Sequence, residues 1–141
     1  MKRSSKKYRI IIDTNIWISF LIGKNLRGLQ NHIDSQGIKI ITCKEQYYEL
    51  SEVFKKPKIK KYFSKEQVED FFELLDESSH CIELVTKSKI CRDDKDNYLV
   101  SLAIDSNANF LITGDLDLLE LELIGETLVV KFSDFDQLMK R

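Results

Sequence analysis

The sequence predicts an α/β fold three layers deep, with a central parallel sheet of about five strands between helices. Short β-branched runs alternate with segments of helical period along the chain, the pattern of a parallel sheet wrapped by helices. The 141 residues are 43% hydrophobic and 32% charged, enough for one soluble domain with a core. One Pro and five Gly exclude collagen-like and low-complexity classes.

Each element has a local reason. Tyr8 to Ile12 is an apolar run stopped by Asp13 and reads as a buried strand. Thr14 to Leu21 follows as a helix, with Thr14 or Asn15 able to cap it. Leu26 to Ser35 reads as a second helix, stopped near Gly37. Ile38 to Thr42 is β-branched and brief, a second strand. Lys44 to Lys55 is helical, and Pro57 enforces its end. Ser64 and Gln67 form a capping box that opens a helix to about Glu77. Cys81 to Val85 reads as a third strand and Asp94 to Ser106 as a helix. Phe110 to Thr113 is a fourth strand, ending at Gly114 and Asp115, where the glycine permits a tight turn. Leu116 to Leu119 forms a short helix. Leu128 to Phe132 is a fifth strand, and Ser133 caps a helix to Met139.

Composition removes several function classes. Cys43, Cys81 and Cys91 are odd in number and widely spaced, neither a disulfide framework nor a zinc pattern. They read as small buried hydrophobes. The longest apolar stretch, Ile16 to Ile22, falls far short of the roughly 20 residues that span a bilayer. No apolar signal core follows the basic start. A reduced, cytoplasmic chain without a membrane partner is expected.

The net charge of −1 conceals blocks of opposite sign. Lys2, Arg3, Lys6, Lys7 and Arg9 open the chain without an acid. Lys55, Lys56, Lys58, Lys60, Lys61 and Lys65 form a second basic block. Acids gather at Asp93, Asp94 and Asp96, and again at Asp115, Asp117, Glu120 and Glu122. This blocking suits an acidic metal pocket beside basic anchors for a polyanion.

In such sheets ligands bind beyond the carboxyl ends of the strands. Two strands end there in an acid, Asp13 and Asp115. A carboxylate ending a buried strand is costly unless paired or bound to a metal. Asp96 precedes Leu99, Val100 and Ala103 by three, four and seven residues, which puts it on the apolar face of its helix, with Asn97 beside it. Asp93 and Asp94 compete with it for the same role. On the helix from Lys44, Glu49 borders the stripe of Tyr47, Leu50, Val53 and Phe54, while Glu45 and Glu52 should be solvated. Asp117 reads as a supporting group or a ligand. Acids from four segments suggest a hard-cation site for Mg²⁺ or Mn²⁺, and the natural chemistry is phosphoryl transfer to water.

The arrangement resembles the PIN domain family, metal-dependent ribonucleases that include many bacterial toxin–antitoxin toxins. The likeness runs from about Tyr8 to Leu138. It rests on Ile12-Asp13-Thr14-Asn15, Tyr48-Glu49-Leu50, Arg92-Asp93-Asp94-Lys95-Asp96-Asn97 and Thr113-Gly114-Asp115-Leu116-Asp117 in that order. With Pro57-Lys58-Ile59, the third run is most similar to a prokaryotic PIN subgroup of toxin components. The resemblance implies one PIN-like nuclease domain over residues 8–139 and strand order 3-2-1-4-5; residues 1–7, from their charge, read as a basic, flexible extension. It implies Asp13, Glu49, Asp96 and Asp115 as the catalytic and metal-holding quartet, with Asp117 near the metal. Thr14 and Asn15 would orient Asp13 or the scissile phosphate, and Thr113 and Asn97 would support the acids. It also implies single-stranded RNA as substrate, a 5′-phosphate product, frequent homodimers and, in a toxin, an antitoxin over the site.

Lys55, Lys56, Lys58, Lys60 and Lys61 would then bind RNA along the groove, with Tyr62 and Phe63 either stacking on bases or packing in the core. Trp17 reads as a core or dimer residue. A binding module of the same fold without turnover, and a housekeeping RNA-processing nuclease, remain alternatives. A phosphotransfer receiver would want two adjacent acids after the first strand, where Ile12 and Thr14 flank Asp13.

Overall fold

A computed structural model of the chain describes residues 8–23 and 37–140. The helix expected over Leu26 to Ser35 and the basic extension over residues 1–7 lie outside the described residues. Three consecutive isoleucines, Ile10 to Ile12, make β1 (Arg9–Ile12) a strand buried on both faces. It pairs in parallel with β2 (Lys39–Thr42) on one side and β4 (Phe110–Ile112) on the other. The sheet order is β3-β2-β1-β4-β6-β5, with β3 at Ser79–Cys81, β5 at Leu123–Ile124 and β6 at Thr127–Val130. The parallel part follows the expected order. The additional strand, β5, pairs antiparallel with β6 through a turn in which Gly125 takes a φ of 60°, a value that favours glycine.

Two apolar clusters flank the sheet and give the three layers. Ile10, Ile12, Ile40, Phe110 and Ile112 face one side, with residues of α1 (Thr14–Gly23), α2 (Lys44–Lys55), α4 (Lys65–Ser78) and α7 (Phe132–Met139). Trp17 lies in this cluster, edge-on to Phe71. Ile11, Ile41, Leu111 and Val129 face the other side, against Leu99, Val100, Leu102 and Ala103 of α5 (Asn97–Ser106) and Leu118 of α6 (Leu116–Leu119).

Several boundaries differ from expectation. Pro57 ends α2 and also opens a four-residue helix, α3 (Pro57–Lys60), from its first position. The Ser64–Gln67 capping box is formed in both directions. The third strand is Ser79–Cys81 rather than Cys81 to Val85. Its register against Ile40–Thr42 ends at Cys81, and the backbone of Val85 and Thr86 bonds Asp105 instead of another strand. The apolar residues Ile82 and Leu84 reflect packing on the second cluster, not strand pairing. The helix expected from Asp94 begins as a 3-10 turn (Asp94–Asp96) capped by Asp93, and α5 starts only at Asn97. Strand β6 ends at Val130, so α7 starts at Phe132 after Lys131, and Ser133 lies inside the helix instead of capping it. Cys43 and Cys91 are buried as expected, whereas Cys81, on the edge strand, is exposed.

Candidate active site

Asp13 leaves the buried end of β1 and is itself buried. Its backbone N–H continues the sheet, donating to the Ile112 carbonyl at 2.9 Å. The Thr113 hydroxyl donates to Asp13 Oδ2 at 2.7 Å and accepts from the Asp115 N–H at 3.0 Å, so one side chain ties both strand-ending acids. Burial raises the Asp13 carboxyl above its ordinary 3.8; the Thr113 hydroxyl and the Asn15 N–H oppose this, and the charges of Glu49 and Asp115 add to it. Thr113 is fixed in turn by its N–H to the Val130 carbonyl at 3.0 Å. Gly114 takes no left-handed φ, and a Cβ there would meet only Ile16 Cδ1 at 3.9 Å, so the turn does not require its glycine.

Glu49 leans inward from the border of the α2 stripe. The Thr14 hydroxyl donates to its Oε1 at 2.6 Å, and the Tyr98 hydroxyl donates to the same oxygen. Thr14 therefore orients Glu49, not Asp13, the first of the two roles expected of it. Burial and the Glu49 charge push the Tyr98 phenol up, which keeps it a donor. One turn back on α2, buried Gln46 donates to the Ile12 carbonyl at 2.5 Å and fixes the helix against the end of β1. Neither Tyr98 nor Gln46 was expected at the site. Glu45, expected in solvent, is half-buried, with Oε1 buried and unpartnered.

Asp93, Asp96 and Asp115 converge most closely, each offering a carboxylate oxygen within 4.8 Å of the others. Asp96 is only 9% exposed, and its Oδ2 has no hydrogen-bond partner. Burial, then the adjoining Asp115, Asp13 and Asp93, push its carboxyl up to about 8. The Asp117 N–H donates to Asp115 Oδ1 at 2.8 Å, while the Asp117 carboxylate lies 3.5 Å from Arg92 Nε, outside the three-acid cluster. Asn97 faces the preceding loop: it accepts from the Cys91 N–H at 2.9 Å and donates to Asp94 at 3.2 Å.

A cleft of about 850 Å³ opens over these groups, lined by Glu49, Asp93, Asp96, Asp115, Asn15 and Tyr98 among others. Its lysines are Lys44, Lys56 and Lys95, of which only Lys56 was an expected anchor. Lys55 and Lys60 line a separate groove of about 370 Å³ with Phe54, Phe63 and Phe72. Lys58 and Lys61 are exposed and line neither, and Lys61 Nζ sits 5.5 Å from the Tyr62 ring centre. Phe63 packs edge-on against Phe54, as a core residue, while Tyr62 is exposed. The basic block splits because α2 and α3 turn successive lysines to different faces.

A family model described as PIN domain matches residues 9–117. The chain belongs to the PIN domain family. It is 32% identical over 123 residues to an uncharacterized protein of Methanocaldococcus jannaschii, covering 85% of this chain and 79% of that protein. Its fold is similar to a chain in the crystal structure of VapBC2 from Rickettsia felis bound to a DNA fragment from their promoter. That likeness has a TM-score of 0.57 at 18% identity and covers 86% of this chain and 96% of the other. PIN domains are generally nucleases that use divalent metals, and a cluster of three acids is present here.

The residues present fit a hard divalent cation. The donors are all carboxylate oxygens, and Asp96, one of the three acids, has a buried oxygen without a partner. The three oxygens lie within 4.8 Å of one another, a spacing at which one cation could be shared.

Proposed function

We propose that the chain is a Mg²⁺- or Mn²⁺-dependent endoribonuclease that hydrolyses single-stranded RNA. The carrying observation is the convergence of Asp93, Asp96 and Asp115 around the unpartnered, buried Asp96 oxygen, beside Asp13 and Glu49. Asp96 and Asp115, with Asp13 and Glu49 behind them, would hold the cation. When bound, it lowers the pKa of a water and counters charge on the departing oxygen.

The chain's own groups do the rest. Thr113 holds Asp13 and the Asp115 turn in one arrangement. Thr14 and Tyr98 both use Glu49 Oε1, so Oε2 carries neither bond and stays available to the cleft. Lys44, Lys56 and Lys95 supply charge for phosphates along the cleft wall, and Asn15 adds a neutral hydrogen-bonding group at its edge. The quartet Asp13, Glu49, Asp96 and Asp115, with Asp117 supporting Asp115, is the catalytic set of this reading.

Within it we favour the toxin of a toxin–antitoxin pair, acting in the cytoplasm as a homodimer until an antitoxin covers the cleft. The fold shared with VapBC2, whose components were crystallised on their promoter, supports that version. No helix among the described residues is long and apolar enough to cross a membrane, which agrees with a substrate met in water. The test is cleavage of end-labelled single-stranded and duplex RNA with Mn²⁺, with excess EDTA, and by Asp13→Asn. Metal-dependent cuts with 5′-phosphate ends, absent in the variant, are expected. Undiminished cleavage in EDTA would overturn the reading.

A further inference from the structure

We infer that Asp93 is a further metal-ligating residue, completing with Asp96 and Asp115 one cation position at the mouth of the cleft. This rests on the metal-dependent reading above and adds a fifth acid to its quartet.

The position is built by three features. A carboxylate oxygen of Asp93 lies within 4.8 Å of those of Asp96 and Asp115. Asp96, more than nine-tenths buried, contributes an oxygen that no protein group satisfies. A buried carboxylate oxygen without a donor is costly, and a cation drawn between the three acids would satisfy it. The backbone is also tied to hold the acids together. Arg92, next to Asp93, pairs with Glu120 through both carboxylate oxygens and lies 3.5 Å from Asp117, joining the Asp93 turn to the turn that carries Asp115. Its charge is directed outward to those pairs, and among the described residues no lysine or arginine pairs with Asp93.

Asp93 has a local duty as well. It caps the 3-10 turn, its Oδ1 accepting from the Lys95 N–H at 3.2 Å. Asparagine caps as well as aspartate does but carries no charge. Asp93→Asn therefore separates the two roles. Asp94, one residue on and exposed, bonds Asn97 and lies outside the three-acid cluster, which makes Asp94→Asn the charge-matched comparison.

The experiment titrates Mn²⁺ into the intact chain, read by the free-ion paramagnetic resonance signal at fixed pH, for wild type, Asp93→Asn, Asp94→Asn and Asp96→Asn. Melting temperatures are measured in EDTA alongside. Asp93→Asn is expected to weaken Mn²⁺ about tenfold or more, with an unchanged or higher metal-free melting temperature, while Asp94→Asn shifts affinity less than about twofold. Wild-type affinity in Asp93→Asn, with binding lost in Asp96→Asn, would overturn the role of Asp93 and leave the nuclease reading standing. A fall in the metal-free melting temperature of Asp93→Asn that accompanies its affinity loss would make the residue structural and likewise overturn it. A wild-type chain that binds no Mn²⁺ would remove the metal reading itself, and this inference with it.

Discussion

Asp13 arrives at the acidic end of the sheet on a strand whose three isoleucines are wholly buried, with partners on both sides. Asp93 arrives there on a loop, residues 82–93, that belongs to no strand or helix. What fixes Asp13 is the core itself. What fixes the loop is the packing of Ile82, Leu84 and Cys91 on the second cluster together with a series of polar side chains along α5. Asp105 accepts from the Val85 and Thr86 N–H groups at 2.6 and 2.9 Å and from the Thr86 hydroxyl at 2.5 Å. Ser101 accepts from the Ser88 N–H at 2.9 Å, and Asn97 clamps Cys91. Asp13 is placed mainly by a strand in the core, with one hydrogen bond from Thr113, whereas Asp93 depends on a loop that combines a few apolar contacts with side-chain hydrogen bonds, so the two respond differently to perturbation.

The largest effect should come at the buried acids. Asp13→Asn and Asp96→Asn should each cut metal-dependent RNA cleavage by more than about 100-fold, beyond the loss usual for a residue that only supports a ligand. Both should leave the metal-free fold intact, seen as unchanged circular dichroism. Unfolding of Asp13→Asn would show that its carboxylate serves the strand end rather than a ligand.

Thr113→Val keeps shape but leaves Asp13 Oδ2 without its donor and the Asp115 N–H without its acceptor. Cleavage and Mn²⁺ affinity should fall about 10- to 100-fold. Chemical denaturation should show a loss of about 1–3 kcal/mol, the cost of buried groups left unpaired. Equal cleavage by this variant would dissolve the link between the two strand-ending acids.

Asp105→Ala should reach only the loop. We expect a melting temperature lower by about 3–5 °C and faster amide exchange over residues 85–91, with little change over β1. Equal acceleration in β1 would erase the distinction between the two placements.

A further expected effect is a pair of opposed pH slopes. Asp96 is raised from 3.8 to about 8 by burial and its acidic neighbours. The metal-free native state therefore keeps a proton that the unfolded chain has lost, and stability falls as pH rises across that window. Asp13, raised mainly by burial, adds to the same slope. The Asp105 carboxyl is lowered by its bonds to Thr86 and Val85, which outweigh the opposing effect of burial. Its contribution is present above 3.8 and is lost as pH falls through the lowered value. Melting temperatures in EDTA should thus fall on both sides, and Asp96→Asn should flatten only the alkaline side.

Much of this comparison was legible in the sequence, and the division is physical. Asp13 and Asp115 could be read because a buried strand cannot end in a carboxylate without a reason. Asp96 could be read because its helix has apolar residues at fixed spacing beyond it. Asp93 could not be separated from Asp94, since only the 3-10 turn before α5 decides which of them faces Asp96 and Asp115. Tyr98 and Gln46 carried no signal, because each bonds a group brought near only by the fold: Glu49 and the Ile12 carbonyl. The basic block was visible as composition, but its division between two faces depends on the helix break at Pro57. Strand β5 was missed because its two residues form a hairpin arm too short for any period to show.

The tie between Thr113 and Asp13 joins residues 100 positions apart, and Thr113 is itself pinned by the carbonyl of Val130. Synthesis runs from the N-terminus, and contacts this distant in sequence close late. A ribosome-bound chain that has exposed Asp13, Glu49 and Asp96 still lacks the strand that aligns them. The arrangement of Asp13 is therefore complete only once β4 and β6 are paired, so an acid near the start of the domain is set by strands near its end.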